Sequence, residues 1–506
     1  MPVMWYRKSL LIVGIPALLA ATAWAQSSAP RTQSTAVPGL SRLRHIIVLA
    51  QENRSFDQYF GELREYWAQN GYPDQSFDGL PQFNPTAGIA PLYGPPPAVP
   101  GCDPAFPPPS DCKINANSPA VASFELLTEC TENTSPSWNE AHRDWDVNDP
   151  LGLRPAKMNG FVRTAAHDAR FLAPPYFDTD GKRAMGYYTG KDLNYYYFMA
   201  SNFATSDRWF HPVMTRTHPN REYLYAATSQ GDVYKVGTNS GDSQHLTATT
   251  IFQELQSKGI SWRIYVNPAH SPCTGPPYDR ACLMRLSYIQ FFAWGQTVPK
   301  NWPYKIAPIS QYFTDLKNGT LPQVAFIEPA SNAGLDEHPS DSDKFPINLQ
   351  LGARYVSTLI NALMTSSSWS DSAFILTFDE SGGLYDHVSP FATVSPDGIK
   401  PKDLMPGDFC STATGPTCDF VYTGYRVPLI VVSPFAKKNY VSHTPADLTA
   451  ILKLIELRFG VPSLTARDAH QMDMTEFFDF NNPPWLAPPT PPVQSTGGRC
   501  YLNALP

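Results

Sequence analysis

The chain has 506 residues, 42% of them hydrophobic, which is enough to bury a large core and, by length alone, to build two or three domains. A formal charge of -7 with no basic block argues against nucleic acid as the main partner. Its eight cysteines form an even set that can pair oxidatively, and none of their spacings resembles a compact zinc site.

At the N-terminus, Arg7 and Lys8 precede an apolar run from Leu10 to Ala23, and Ala23-Trp24-Ala25 supplies small residues around a cutting point. The run is short for a bilayer span, so residues 1–25 are expected to be a cleavable Sec-type signal peptide and the mature protein to be secreted or periplasmic. A retained membrane anchor is the alternative. Next, HIIVLAQENRSFDQYFG (45–61) opens as a buried strand but ends in Glu52, Asn53, Arg54, Ser55 and Asp57, none of which belongs in a core. Eleven prolines between Pro81 and Pro109 then forbid helix and central strand alike, so about 81–120 reads as a Pro-rich surface insertion. Proximity pairs Cys102 with Cys112, Cys273 with Cys282 and Cys410 with Cys418, leaving Cys130 and Cys500; all read as staples for loops.

Farther along, IFQELQSKG (251–259) predicts a helix closed by Gly259, with SWRIYV a strand after it and PQVAFIEP (322–329) another. Leu349, Tyr355, Val356, Leu359, Ile360 and Leu363 mark one face of a helix. SAFILTFDE (372–380) and VPLIVVSPF (427–435) are apolar on both faces, as parallel strands covered on each side require. The last helix is expected to start with Thr444 as N-cap, Pro445 at the first position and Asp447 completing a capping box, and to run to Gly460. This alternation predicts an α/β fold, a three-layer α/β/α sandwich with a mostly parallel central sheet. One catalytic domain would span 40–480, followed by a Pro-rich tail over 481–506.

Parallel sheets bind ligands beyond the carboxyl ends of their strands. Two polar clusters stand at such ends: Glu52-Asn53 after HIIVLA, and Asp379-Glu380 after FILTF, the latter followed by Ser381-Gly382-Gly383. Three carboxylates meeting in one crevice repel unless a cation compensates them, so one divalent ion (Ca, Mg, Mn or Zn) is the expected cofactor. Asx turns or helix caps at the strand exits are the alternative. FHPVMTRTHPNREYLY (210–225) carries T-x-P-x-R in Thr217, Pro219 and Arg221. A hydroxyl beside a divalent cation can become a nucleophile, and an arginine can hold an anion through two oxygens. Thr215 and Asn220 are polar neighbours, and Asn220 is grouped with Arg221 as a candidate for binding substrate. His338 in DEHPSD (336–341) and His387 in YDHV (385–388) follow strands at the same end, where a histidine can neutralise phosphate or protonate a leaving oxygen; His142 in SWNEAHRDWD is a further candidate.

QENRSFDQYFG, THPNR, DEHPSD and FDESGGLYDHV, in that order, resemble the bacterial phosphoesterase family of non-zinc phospholipases C and related acid phosphatases. The resemblance implies an alkaline-phosphatase-like fold, and one metal ion held by Glu52, Asn53, Thr217, Asp379 and Glu380. It further implies phosphate contacts from His338, His387 and His142, and a phosphothreonine intermediate on Thr217. Where relatives often carry Gly-Pro before the nucleophile, this chain has Thr215-Arg216. The expected substrate is a phosphoester or phospholipid, met through transient contact with lipid surfaces, and the expected activity is phospholipase C-like. An acid phosphatase is the nearest alternative. T-x-P-x-R also resembles the sulfatase pattern, but threonine does not readily supply formylglycine. An exported binding protein whose metal only stabilises loops is a reading of a different class. The oligomeric state is left open.

Overall fold

The computed structural model describes Met1 and residues 37–84, 94–152, 155–172, 176–238, 244–341, 346–412 and 418–505. The expected signal segment, beyond Met1, and part of the Pro-rich insertion lie outside these residues. Among the described residues eight strands share one sheet: β1 (His45–Gln51), β2 (Ala204–Ser206), β3 (Trp262–Val266), β4 (Ile306–Pro308), β5 (Val324–Ile327), β6 (Ser372–Phe378), β7 (Leu429–Val432) and β8 (Tyr440–Ser442), in the order β8-β2-β7-β6-β1-β5-β3-β4. HIIVLAQ lies inside the sheet because nearly every residue of it is buried. Its two neighbours, β5 and β6, both run parallel to it. The β1–β6 register runs from His45 opposite Ser372 to Gln51 opposite Phe378. Glu52 and Asp379 therefore leave the sheet side by side, over three hundred residues apart in the chain.

VPLIVVSPF corrects one expectation. It forms β7, which is antiparallel to both β6 and β2. Burial on two faces dictates an apolar run and says nothing of direction, which the connections decide.

Helices cover the sheet in two groups. α1 (Phe56–Phe60), α2 (Trp138–Trp145), α3 (Asn194–Asn202), α4 (Thr217–Ala226), α5 (Ile251–Ser257), α6 (Ile309–Asn318), α7 (Leu349–Met364) and α8 (Thr449–Phe459) include the elements that matter for the site. α4 packs on α5 and α8, while α7 packs on α3 and α6, and members of both groups join the strands in one core. The start of α8 is a second correction. Thr444 is not its N-cap: Ala446–Asp447 instead pairs in parallel with Trp209–Phe210, and the helix begins at Thr449. Asp447 still serves the helix start, accepting from the Thr449 N–H at 2.8 Å, and its other oxygen takes Arg467 at 2.9 Å. Strand pairing before the helix won over the local capping pattern. Gly460 ends α8 as expected, at φ +67°.

Three disulfides join the cysteines that proximity paired, and the fourth joins the two left over, Cys130 and Cys500, across 370 residues. Within the Pro-rich insertion, Ala98–Pro100 forms a small ribbon with Ala120–Ala122, apart from the main sheet. The Pro-rich C-terminal segment lies on the body, where Trp369 donates from Nε1 to the Trp485 carbonyl at 2.9 Å. Among the described residues no helix is long and apolar enough to cross a membrane.

Candidate active site

The polar end of β1 acts as a hub, and this explains why a buried strand finishes in charge. Each side chain of Gln51–Ser55 reaches a segment distant in the chain. Gln51 donates to the Glu337 carboxylate at 3.0 Å, and Arg54 to the Glu337 carbonyl at 2.7 Å. Glu52 accepts from Arg221 at 2.8 Å. Ser55 donates to the Tyr385 carbonyl at 2.8 Å while its oxygen caps α1 by accepting from the Gln58 N–H.

Asn53 makes the central connections. Held at φ +54°, it donates its backbone N–H to Asp379 Oδ1 at 3.1 Å. Its Nδ2 meets His338 Nε2 at 3.0 Å, and its Oδ1 accepts from the Thr217 hydroxyl at 3.3 Å. The other ring nitrogen of His338 faces the Pro339 carbonyl at 2.6 Å and must donate to it, so Nε2 is the acceptor for Asn53. Thr217 is the first residue of α4 and is half-buried. Gly382 completes the turn at φ +71°; a Cβ there would stand 2.5 Å from the Asn53 carbonyl oxygen, so glycine is required both by conformation and by space.

Electrostatics makes this convergence costly. Asp379 and Glu380 are fully buried and Glu52 nearly so. Burial first, then repulsion from Asp379, raises Glu380 well above the carboxylate range. Burial raises Glu52 likewise, with Arg221 opposing and Asp379 adding to the shift. Arg221 bridges two of the three, reaching Glu52 at 2.8 Å and Asp379 at 3.1 Å. With all three ionised, three carboxylates less one guanidinium leave two negative charges, which one divalent cation offsets. Glu380 Oε1 is buried with no hydrogen-bond partner among the described residues, so one oxygen of the set has an unmet need. An all-oxygen donor set of Glu52, Asn53, Thr217, Asp379 and Glu380 fits a hard divalent ion.

Several expected residues stand elsewhere or do other work. Arg221 is not a free anion clamp: besides the two carboxylates it donates to the Ala50 carbonyl at 3.1 Å, and its guanidinium lies 4.7 Å above the Tyr288 ring. Nor does Asn220 face a substrate. It is fully buried, accepting from the Val213 N–H at 3.0 Å and donating to the Thr215 carbonyl at 2.7 Å, so it ties the loop that delivers Thr217. His387 is drawn into a separate ion network, with Asp57 2.7 Å from Nδ1 and Asp78 3.3 Å from Nε2. Burial disfavours its charged form, but the Asp57 and Asp78 carboxylates outweigh both burial and Arg426 and hold it up at about 9. His142 is buried in α2, its Nδ1 2.6 Å from the Trp138 carbonyl and its ring against the Trp138 indole. Next to that helix, Ser137 accepts from Arg216 at 2.6 Å, so α2 braces the residue before Thr217.

Among the described residues, Asp57, Asp386 and His387 place ligand atoms within 4.8 Å of one another, a spacing that could hold a metal ion. Arg426 already binds both carboxylates there at 2.9 Å, so the chain supplies its own counter-charge. Asp386 and Arg426 escaped the sequence reading. Asp386 lay unassigned inside FDESGGLYDHV, and Arg426, just ahead of β7, carries no local signal at all. Glu337 escaped too, although DEHPSD contains it: fully buried, it accepts from Tyr59 at 2.8 Å and Tyr196 at 2.5 Å and so anchors the loop that presents His338.

A model of the Phosphoesterase family matches residues 43–462. Phospholipase C B of Mycobacterium tuberculosis is 29% identical over 491 residues, covering 93% of this chain and 83% of that protein. A non-hemolytic phospholipase C of Pseudomonas aeruginosa is 28% identical over 480 residues, covering 88% of this chain and 58% of that protein. Non-specific phospholipase C1 of Arabidopsis thaliana is 28% identical over 456 residues, covering 87% and 72%. Among solved structures, murine ectonucleotide pyrophosphatase/phosphodiesterase 5 is similar at a TM-score of 0.33 and 10% identity, over 57% of this chain and 95% of that one. A protein of the alkaline phosphatase superfamily from Vibrio parahaemolyticus is similar at a TM-score of 0.31 and 14% identity, over 55% of this chain and 63% of that one.

Proposed function

The chain belongs to the Phosphoesterase family, and we propose that it is an exported, metal-dependent phosphoester hydrolase of the phospholipase C type with Thr217 as its nucleophile. One observation carries the reading: the Thr217 hydroxyl lies 3.3 Å from Asn53 Oδ1, and Asn53 is in turn bonded to Asp379 and His338. Glu52, Asn53, Thr217, Asp379 and Glu380 would hold one divalent ion. Bound there, it would lower the pKa of the threonine hydroxyl and offset charge on the phosphoryl oxygens.

Thr217 Oγ1 gives up its proton to the Nε2 lone pair of His338 and attacks phosphorus, the bond to the leaving alkoxide breaks, and a phosphothreonine forms. His338, one side chain away across Asn53, then gives that proton to the leaving alkoxide. Water then attacks the phosphothreonine, and the proton it loses returns to Oγ1 as the threonine leaves. Asn53 aims the hydroxyl, and Arg221 keeps the paired carboxylates from pushing the site apart. The names of the relatives support a phosphodiester of the phospholipid kind. Four disulfides and the signal-like N-terminus support export into an oxidising compartment.

Thr217→Ala is expected to lower kcat at least about a thousandfold on a phospholipid diester, with the melting temperature unchanged. Exhaustive chelation should abolish turnover, and a divalent salt should restore it. Near-wild-type turnover by Thr217→Ala removes the nucleophile from this role, and turnover indifferent to chelation removes the metal. Running a phosphate monoester beside the diester separates phospholipase from acid phosphatase.

A further inference from the structure

Against His218, the residue after the candidate nucleophile, lies a cavity of about 220 Å³ whose walls also include Lys235, Asn267, Arg285, Tyr288 and Phe291. Its place in the fold ties it to the site. His218 follows Thr217 in the first turn of α4, Asn267 follows β3, and Pro329, also in the wall, follows β5. The cavity thus opens on the same carboxyl edge of the sheet as Glu52. Tyr288 is shared between the two, since its ring lies beneath the Arg221 guanidinium that binds Glu52 and Asp379.

The lining is one-sided in charge. Lys235 and Arg285 are exposed, no Asp or Glu lines the cavity among the described residues, and no ion pair joins either cation to a described carboxylate. In a chain whose net charge is -7, an all-cationic hollow one residue along α4 from the candidate nucleophile is not the surface average. A trimethylammonium group would need a carboxylate or open aromatic faces. The aromatic faces here already carry the protein's own cations: Arg221 over Tyr288 at 4.7 Å and Lys235 over Phe291 at 5.7 Å. The His218 ring packs edge-on against both aromatics, and its Nδ1 has no hydrogen-bond partner among the described residues.

We propose that this cavity is a second anion subsite, and that the substrate is a phosphoester bearing a further phosphate or carboxylate on the group that enters it. The proposal rests on Thr217 being the nucleophile. While Thr217 attacks one phosphorus, Lys235 and Arg285 hold the second anion, and choline-type headgroups are disfavoured.

Four monomeric short-chain phosphatidyl esters test this: glycerol (neutral), choline (cationic), serine (carboxylate) and glycerol phosphate (second phosphate). For the wild type, kcat/KM is expected to be at least about tenfold higher for an anion-bearing ester than for the choline ester. Lys235→Ala and Arg285→Ala should each lower the ratio of anion-bearing to neutral turnover about tenfold, and added salt should lower it too, because the cations are exposed. Whether the serine or the glycerol phosphate ester gains tells carboxylate from phosphate. Preference for the choline ester, or a ratio unmoved in both variants, overturns the proposal. If none of the four is cleaved, the hydrolase reading fails, and calorimetric binding of the glycerol phosphate ester decides the subsite by itself. Affinity weakened about tenfold in Lys235→Ala then supports the subsite, and equal affinity overturns it.

Discussion

Asn53 shows how much one residue can be asked to do: its backbone meets Asp379, its amide nitrogen His338 and its amide oxygen Thr217. The motif QENRS exposed this residue as a candidate, since no core needs an asparagine after a buried strand. Which groups it would join could not be read, because they come from three other stretches of chain. His387 illustrates the opposite case. Its position after a Gly-Gly turn suggested catalysis, yet both ring nitrogens are engaged by Asp57 and Asp78, acids that its local motif does not pair with it. A testable consequence follows from its charge. The folded value of about 9 lies above the ordinary 6.5, so the charged ring stabilises the fold fully below about 6.5 and that stabilisation is lost as pH rises through about 9. The melting temperature of wild type minus that of His387→Gln is expected to shrink between pH 6.5 and 9, by an amount worth on the order of 3 kcal/mol at most. A difference that stays constant over that window would place the neutral ring in the fold.

At the scale of elements, the site depends on how α4 and the end of β1 are delivered to each other. The strands β1 and β6 were legible from their apolar runs, and their in-register pairing puts Glu52 beside Asp379 with no special local feature. The loop before α4 was harder to read, because its sequence groups Asn220 with Arg221 as a candidate for binding substrate. It is instead the internal tie of that loop, bonded to Val213 and Thr215. Asn220→Ala is expected to strand a buried N–H and a buried carbonyl, costing about 1–3 kcal/mol in denaturant unfolding. Turnover should fall with it, because Thr217 is only two residues beyond Thr215. A variant with unchanged stability and reduced KM-dependent rate alone would return Asn220 to the substrate side. The start of α8 was misread for a related reason. A plausible capping box at Thr444 lost to strand pairing of Ala446–Asp447 with Trp209–Phe210, a partner over two hundred residues earlier.

For the whole molecule, the disulfides are unequal. Cys102–Cys112 closes a loop of 10 residues in the Pro-rich insertion, whereas Cys130–Cys500 spans 370. Residues just after Cys130 also brace the site: Thr131 accepts the Ser340 N–H at 2.7 Å, two residues past His338, and Thr134 donates to the Gly382 carbonyl. Replacing Cys130 and Cys500 by serine is expected to cost more than about 4 kcal/mol and to lower kcat, while the same change at Cys102 and Cys112 costs about 3 kcal/mol at most and leaves kcat alone. Equal effects on kcat would detach the long crosslink from the site. From its sequence alone the chain determined its family, its α/β alternation, the ends of its buried strands, and the three short-range cysteine pairs, since all of these follow from local composition and order along the chain. Tertiary structure alone decided the direction of β7, the capture of His387 by carboxylates, the burial of Asn220 and the use of Arg221 as a counter-charge. Each of those depends on which distant groups share a low-dielectric space, and Coulomb and desolvation energies act on separation in space, not on separation in sequence.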